Sequence, residues 1–150
     1  MHLIIGKDYL NGICVKKDVN KAVYYFTLAA YQNDHIAQYN LGLLYYNGLY
    51  VTRDINKSIY FFTLASKQNC VEAQYSLGVI YINGKCCARD VNKAIHYFEL
   101  AANNNNPRAQ YNLGVIYSDG NYIVRDINRA IYYYKLAANQ NDADSQYNLG

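Results

Sequence analysis

The chain repeats itself every 36 residues. AQYNLGLLYYNG starts at Ala37, AQYSLGVIYING at Ala73, AQYNLGVIYSDG at Ala109 and SQYNLG at Ser145. Counting back one period from Ala37 reaches Met1, where MHLIIGKDYLNG keeps Gly6, Tyr9 and Gly12 in register. A period in this range signals an array of supersecondary units, each of which buries its apolar flank against the next. The repeats run 1–36, 37–72, 73–108 and 109–144, with a partial unit at 145–150, and a single domain over 1–150 is expected.

Each unit carries two segments with helical spacing. In the first, helix A, residues Ala37, Leu41, Leu44 and Tyr45 share one face at i, i+4, i+7 and i+8. Gly42 interrupts that helix at a cost of about 1 kcal/mol relative to Ala. Its return at Gly6, Gly78 and Gly114 predicts a close helix–helix approach at that point. Gly12, Gly48, Gly84 and Gly120 suit the left-handed residue that closes a helix.

The second segment, helix B, opens on Asp18, Asp54, Asp90 or Asp126, whose carboxylate can accept from the first unpaired N–H groups. Lys21, Lys57, Lys93 and Arg129 follow in the first turn, where a cation is slightly unfavourable, and the sequence alone gives no reason for them. Asn33, Asn69, Asn105 and Asn141 end helix B in the left-handed conformation that Asn tolerates. Asp34, Asn106 and Asp142 then cap the next helix A, whereas Cys70 occupies that column before Val71 and predicts a weaker start.

Composition agrees with a folded helical array. Hydrophobic residues make up 52% and charged residues 17%, which excludes a disordered tail. The one Pro, at 107, stands at the first position of a helix, where it is tolerated. A formal charge of +3 is too mild to imply nucleic acid. Cys14, Cys70, Cys86 and Cys87 include no CxxC pair and fit reduced thiols in a reducing compartment. The apolar run Leu3 to Ile5 is too short for a signal peptide, and no window matches a membrane span. A soluble intracellular protein is therefore expected, with no membrane partner.

The skeleton A-x-x-x-L-G-x-x-Y-x-x-G followed by D-x-x-K-A-x-x-Y-F-x-x-A-A resembles the Sel-one-like repeat family over essentially the whole chain. That resemblance implies an all-α fold, a right-handed α/α superhelix of about four helix-turn-helix repeats with a C-terminal half-helix. It also implies adaptor or scaffold roles of the kind the family plays in protein quality control and bacterial host interaction. The cysteine-rich branch staples its paired helices with disulfides. The matching columns here hold Ala30, Ser66, Ala102 and Ala138, and Asn40, Ser76, Asn112 and Asn148, so that secreted, stapled character is not expected. Arrays of this type are abundant in giant viruses and intracellular bacteria. The high Asn, Tyr and Ile content fits such a source, and a host cytoplasm is one location it implies. The uncapped start and the partial last unit also fit a shortened paralogue with little independent role.

The 19 tyrosines divide by column. Tyr9, Tyr45, Tyr81 and Tyr117 lie on the buried stripe of helix A, and Tyr25, Phe61, Tyr97 and Tyr133 on that of helix B, where packing explains them. Tyr39, Tyr75, Tyr111 and Tyr147 stand two positions after the Ala column and point away from that stripe. With Leu43, Val79 and Val115, and with Tyr46 and Ile82, they form a second apolar stripe on helix A. Asn47, Asn83 and Asp119 add hydrogen-bonding groups beside it. In tetratricopeptide-like solenoids helix A lines the concave groove, so the resemblance makes this stripe, its tyrosines above all, the expected surface for a partner peptide or helix; packing between successive A helices accounts for the aliphatic members equally well.

No catalytic constellation stands apart from the repeat. His2, His35 and His96 fall in three different columns, without metal-ligand spacing. The periodic Asp residues suit helix caps, and no Ser-His-Asp, Cys-His or phosphate-loop pattern occurs. The expectation is a non-enzymatic scaffold with another protein as partner and no cofactor, metal, small-molecule substrate or nucleic acid. A weak hydrolase activity, proposed for the cysteine-rich relatives, is the enzymatic alternative.

Overall fold

A computed structural model describes residues 1–48, 50–84 and 87–140. Eight helices and no strand occur among them. The A helices are α1 (His2–Asn11), α3 (His35–Asn47), α5 (Val71–Asn83) and α7 (Pro107–Asp119). The B helices are α2 (Val19–Tyr31), α4 (Ile55–Ser66), α6 (Val91–Asn103) and α8 (Ile127–Ala138). This is the expected all-α array of 36-residue helix pairs. The helices gather into two compact units that divide between Ala73 and Gln74. The expectations for Cys86, Asn141, Asp142 and Ser145 to Gly150, Tyr147 and the half-helix included, fall outside the described residues.

The junctions obey the local signals. Each helix B is capped by its Asp, which accepts from Lys21 N (3.1 Å), Lys57 N (3.0 Å), Lys93 N (2.9 Å) or Arg129 N (3.0 Å). The same Asp returns its own N–H to a tyrosine carbonyl of its helix A, as Asp54 does to Tyr45 at 3.0 Å. The A–B loop is thereby closed on both sides. Asn33, Asn69 and Asn105 take φ of 60° to 65°. Around Asn33, its N–H reaches Ala30 O at 3.0 Å and that of Asp34 reaches Ala29 O at 3.1 Å, which satisfies two carbonyls that the helix end leaves unpaired.

Cys70 replaces a capping Asp or Asn, yet α5 still begins at Val71. Its thiol donates to Glu72 Oε2 at 3.6 Å, and Glu72 puts an acid in the first turn, where the helix dipole favours one. Burial pushes the Cys70 thiol above its ordinary pKa.

The core forms where each A helix meets its B helix. A Cβ at Gly42 would lie 2.5 Å from the Phe62 ring, and one at Gly78 the same distance from Phe98. Gly6 faces Phe26 and Gly114 faces Tyr134 in the same way. These rings, rather than Tyr25, Phe61, Tyr97 and Tyr133, are the buried aromatic column of helix B: Phe26 and Phe98 are 0% exposed and Phe62 is 1%. The neighbouring column is half-buried. Adjacent helical residues are about 100° apart, so only one of the two rings can face the glycine.

Gln38, Gln74 and Gln110 are fully buried polar side chains, and helical spacing alone assigns them no role. Gln38 Nε2 donates to Ala30 O at 3.3 Å, while its Oε1 accepts from Gln68 Nε2 at 2.9 Å. Gln110 repeats this with Ala102 O at 3.2 Å and Gln140 Nε2 at 2.9 Å. Gln38 and Gln110 thus each tie a helix A to the ends of two B helices. Ser58, by contrast, is buried with an Oγ that has no hydrogen-bond partner among the described residues, in a column otherwise filled by Ala22, Ala94 and Ala130.

Two stability changes follow. Gly42→Ala gains about 1 kcal/mol of helix propensity but forces the locked Phe62 ring aside, an overpacking cost of about 1–3 kcal/mol. The expected net destabilisation is about 1 kcal/mol in urea unfolding, and a Gly42→Ala protein as stable as the parent would contradict the close contact. Ser58→Ala removes an unpaired buried hydroxyl and should raise stability by about 1 kcal/mol; a loss in the same titration would mean that the hydroxyl has a partner.

Candidate functional site

The first-turn cations acquire their reason in three dimensions. Lys21, Lys57, Lys93 and Arg129 lie over the rings of Tyr9, Tyr45, Tyr81 and Tyr117, at 5.1–5.3 Å from the centroids. Each of these tyrosines also stacks on Tyr25, Phe61, Tyr97 or Tyr133 at 5.7–5.9 Å. The outermost ring, Tyr24, Tyr60, His96 or Tyr132, meets that stack edge-on at 5.1–5.3 Å. Lys57, Lys93 and Arg129 also pair with their cap carboxylates at 3.8, 3.4 and 3.3 Å. The cation–π attraction and the ion pair offset the weak repulsion from the helix dipole. The Asp90 carboxyl is held below its ordinary range, first by the Lys93 backbone N–H.

One stack in the second unit carries an added charge. Arg129 Nη1 donates to Tyr117 Oη at 3.1 Å, and Tyr117 Oη lies 3.5 Å from Glu99 Oε1. Burial, followed by the charge of Glu99, pushes the Tyr133 phenol up to about 12.

The second stripe of helix A lies half-buried. In the first unit, Tyr39 leans its ring on Phe62 at 5.7 Å, so part of it serves packing. Tyr46 lies under the Arg53 guanidinium at 5.9 Å, and its carbonyl accepts from Arg53 Nε at 3.1 Å. Leu43 is half-buried and Asn47 exposed. In the second unit, Tyr75 and Tyr111 lean on Phe98 and Tyr134, both at 5.9 Å. Val79, Ile82 and Val115 are half-buried beside them, and Asn83 is exposed.

Of these residues, the structure brings Leu43 and Asn47 into one cleft. It holds about 290 Å³ between α1, α3 and their following loops, and Leu10, Asn11, Lys17, Asn40, Leu44 and Tyr50 complete its wall. Tyr39 and Tyr46 are not part of that wall. Lys17 Nζ donates to Tyr50 Oη at 3.1 Å and stands 4.7 Å from the centre of the same ring. In the second unit Arg89 lies over Tyr122 at 5.0 Å, the same two columns one period pair later. Sequence pattern could have marked this clasp, because Tyr122 stands 72 residues after Tyr50 and Arg89 the same distance after Lys17. Among the described residues, no group of three or more His, Cys, Asp and Glu could hold a metal ion, and no helix is long and apolar enough to cross a membrane.

Comparison with known proteins places these features in context. The Sel1 repeat matches four times, over residues 5–34, 35–70, 71–106 and 107–142. Among solved structures, the chain is similar to a Sel1 repeat protein from Oxalobacter formigenes, with 36% identity and a TM-score of 0.87 over 99% of this chain. It is also similar to c5321, a protective antigen of uropathogenic Escherichia coli strains with an SLR fold, at 29% identity and a TM-score of 0.89, again over 99% of this chain. The cysteine-rich protein B of Helicobacter pylori shares the fold at 24% identity, with a TM-score of 0.65 over 87% of this chain and 94% of its own. This chain spans 60% of the Oxalobacter protein and 32% of c5321. No curated protein matches it.

The Tyr133 phenol makes stability depend on pH. Its folded pKa of about 12 exceeds the ordinary value of 10.0, so the folded state holds a proton that the unfolded chain releases. That contribution is complete below about pH 10 and is lost as pH rises toward 12. Tyr133→Phe, the residue type that repeat two carries at Phe61, should therefore lessen the drop in urea midpoint between neutral pH and pH of about 11. An identical drop in both proteins would remove Tyr133 as the cause.

Proposed function

The chain belongs to the Sel1 repeat family, and from that premise we propose that it is a non-enzymatic protein-interaction scaffold. Sel1 repeats generally mediate contacts between proteins. The partner of this chain is a peptide or helix of another protein, received on the second stripe of the A helices. The observation that carries this reading is the recurrence of half-buried Leu43, Val79 and Val115, flanked by exposed Asn47 and Asn83. Side chains of this kind leave apolar area for a partner to cover and amides to fix its register. The stripe tyrosines contribute through their exposed portions, while their inner faces brace Phe62, Phe98 and Tyr134.

That bracing decides the test. Replacing Tyr39, Tyr75 and Tyr111 by Ala would loosen the core and confuse folding with binding. Asn47→Lys with Asn83→Lys changes exposed positions only. Affinity capture with this double variant should lose the partner that the parent retains, while Tyr60→Ser on helix B keeps it. Capture of an unchanged set of proteins by the double variant would refute a binding role for the stripe.

A further inference from the structure

We infer that the α1/α3 cleft of the first unit is a carboxylate-reading subsite, which takes an acidic group beside an apolar side chain of an extended peptide. This rests on the scaffold reading above and names the chemistry of its partner. The floor of the cleft is apolar, formed by Leu10, Leu43 and Leu44. Its rim holds Asn11, Asn47, Lys17 and Tyr50, and no acidic residue contributes to the wall.

Lys17 stands in the basic column one residue before the cap, with Arg53, Arg89 and Arg125, and not in the column of first-turn cations. Lys57, Lys93 and Arg129 each meet a carboxylate of their own helix cap. Lys17 forms no salt bridge among the described residues, and its ammonium is held instead by a neutral phenol and the face of the same ring. An ammonium has three donors, and Tyr50 Oη takes one. The remaining two have no hydrogen-bond partner among the described residues and are open to an anion. Tyr50 fixes the long lysine side chain over the cleft, which lowers the entropy that a ligand would otherwise have to remove.

The amides supply the second half of the recognition. Asn11 and Asn47 are exposed at the C-terminal ends of α1 and α3, each with a donor and an acceptor for a peptide backbone. Asn40 is already engaged, its Nδ2 donating to Ile36 O at 2.8 Å. A volume of about 290 Å³ suits one or two side chains rather than a whole helix. The fitting ligand is an extended segment with an aliphatic side chain on the leucine floor and a carboxylate at Lys17. That carboxylate can come from an Asp or Glu side chain or from a chain terminus.

Three peptides separate the outcomes when titrated into the 150-residue chain by NMR, with the side-chain amide signals of Asn11 and Asn47 as reporters. They are acetyl-Gly-Leu-Glu-Leu-Gly amide, its Gln counterpart, and acetyl-Gly-Leu-Leu with a free carboxyl end. At low salt the Glu peptide or the free-ended peptide should bind about fivefold more tightly than the Gln peptide, the scale of a partly exposed ion pair. Whichever of the two is tighter identifies the source of the carboxylate. Lys17→Met should erase the preference and Lys17→Arg should keep it, with circular dichroism verifying that both exposed-loop variants fold. A preference that survives Lys17→Met overturns the subsite. If all three peptides bind alike and Leu43→Asp abolishes that binding, the carboxylate subsite is overturned while the stripe remains a peptide surface. Absence of binding by all three at millimolar concentration also overturns the subsite, and the Asn47 and Asn83 capture experiment then decides the scaffold reading separately.

Discussion

The contact between a helix-A glycine and a helix-B ring sets the spacing on which everything else depends. A ring seated where a Cβ would be at 2.5 Å lets the paired backbones approach more closely than any side chain would allow. That approach brings Tyr45 within stacking distance of Phe61, and Tyr81 within stacking distance of Tyr97. It also leaves the Asp54 N–H only 3.0 Å from the Tyr45 carbonyl, so the A–B loop closes without a spare residue. The helical cost of the glycine is real, about 1 kcal/mol in a helix interior. It is offset by burial of an aromatic ring, worth about 1.5–3 kcal/mol.

Once the helices are this close, the chemistry of the A–B loop is constrained in turn. The cap Asp must start helix B directly after the loop, and the third residue beyond it faces the stacked tyrosine. A cation there has both a carboxylate and a π-face within reach, as Lys93 has with Asp90 and Tyr81. The basic column one residue before the cap, Lys17, Arg53, Arg89 and Arg125, has no such fixed partner and takes what the surrounding loops provide. Lys17 finds Tyr50, Arg53 finds Tyr46, and Arg89 finds Tyr122. The same cation is thus a structural constant at one column and an adaptable surface group at another, four residues earlier.

The architecture was legible because each of its signals is local and recurs. The αL asparagines, the Asp caps and the helix-A glycines each announce a backbone conformation or a close approach that few other residues permit. What pattern could not rank was which of two adjacent rings turns inward. Phe61 and Phe62 are both aromatic, and only the position of the partner helix selects Phe62. The buried glutamines escaped for a related reason. Gln38 looks like a surface residue until the ends of α2 and α4 arrive with a carbonyl and an amide for it. Of the candidate site, the stripe was visible as periodicity, whereas the cleft depends on loop residues such as Tyr50 that meet Lys17 only after the helices pack.

A repeat array gains specificity where its columns stop repeating. The glycine, the ring and the Asp cap recur in every repeat, and the buried amide in the later three, so exposed columns can change surface chemistry on a common frame. The column of Leu10 reads Tyr46, Ile82 and Ser118 in later units, and that of Asn11 reads Asn47, Asn83 and Asp119. Asp119 is an acid that accepts from Asn121 Nδ2 at 2.6 Å, so the last unit offers a negative group where the first offers only amides. A ligand carboxylate would meet at Asp119 a repulsion that the equivalent Asn11, Asn47 and Asn83 do not impose. Discrimination of this kind, by charge placed against the wrong partner as much as for the right one, needs only a handful of side chains. Identical scaffolding thereby allows each repeat to carry a different surface chemistry.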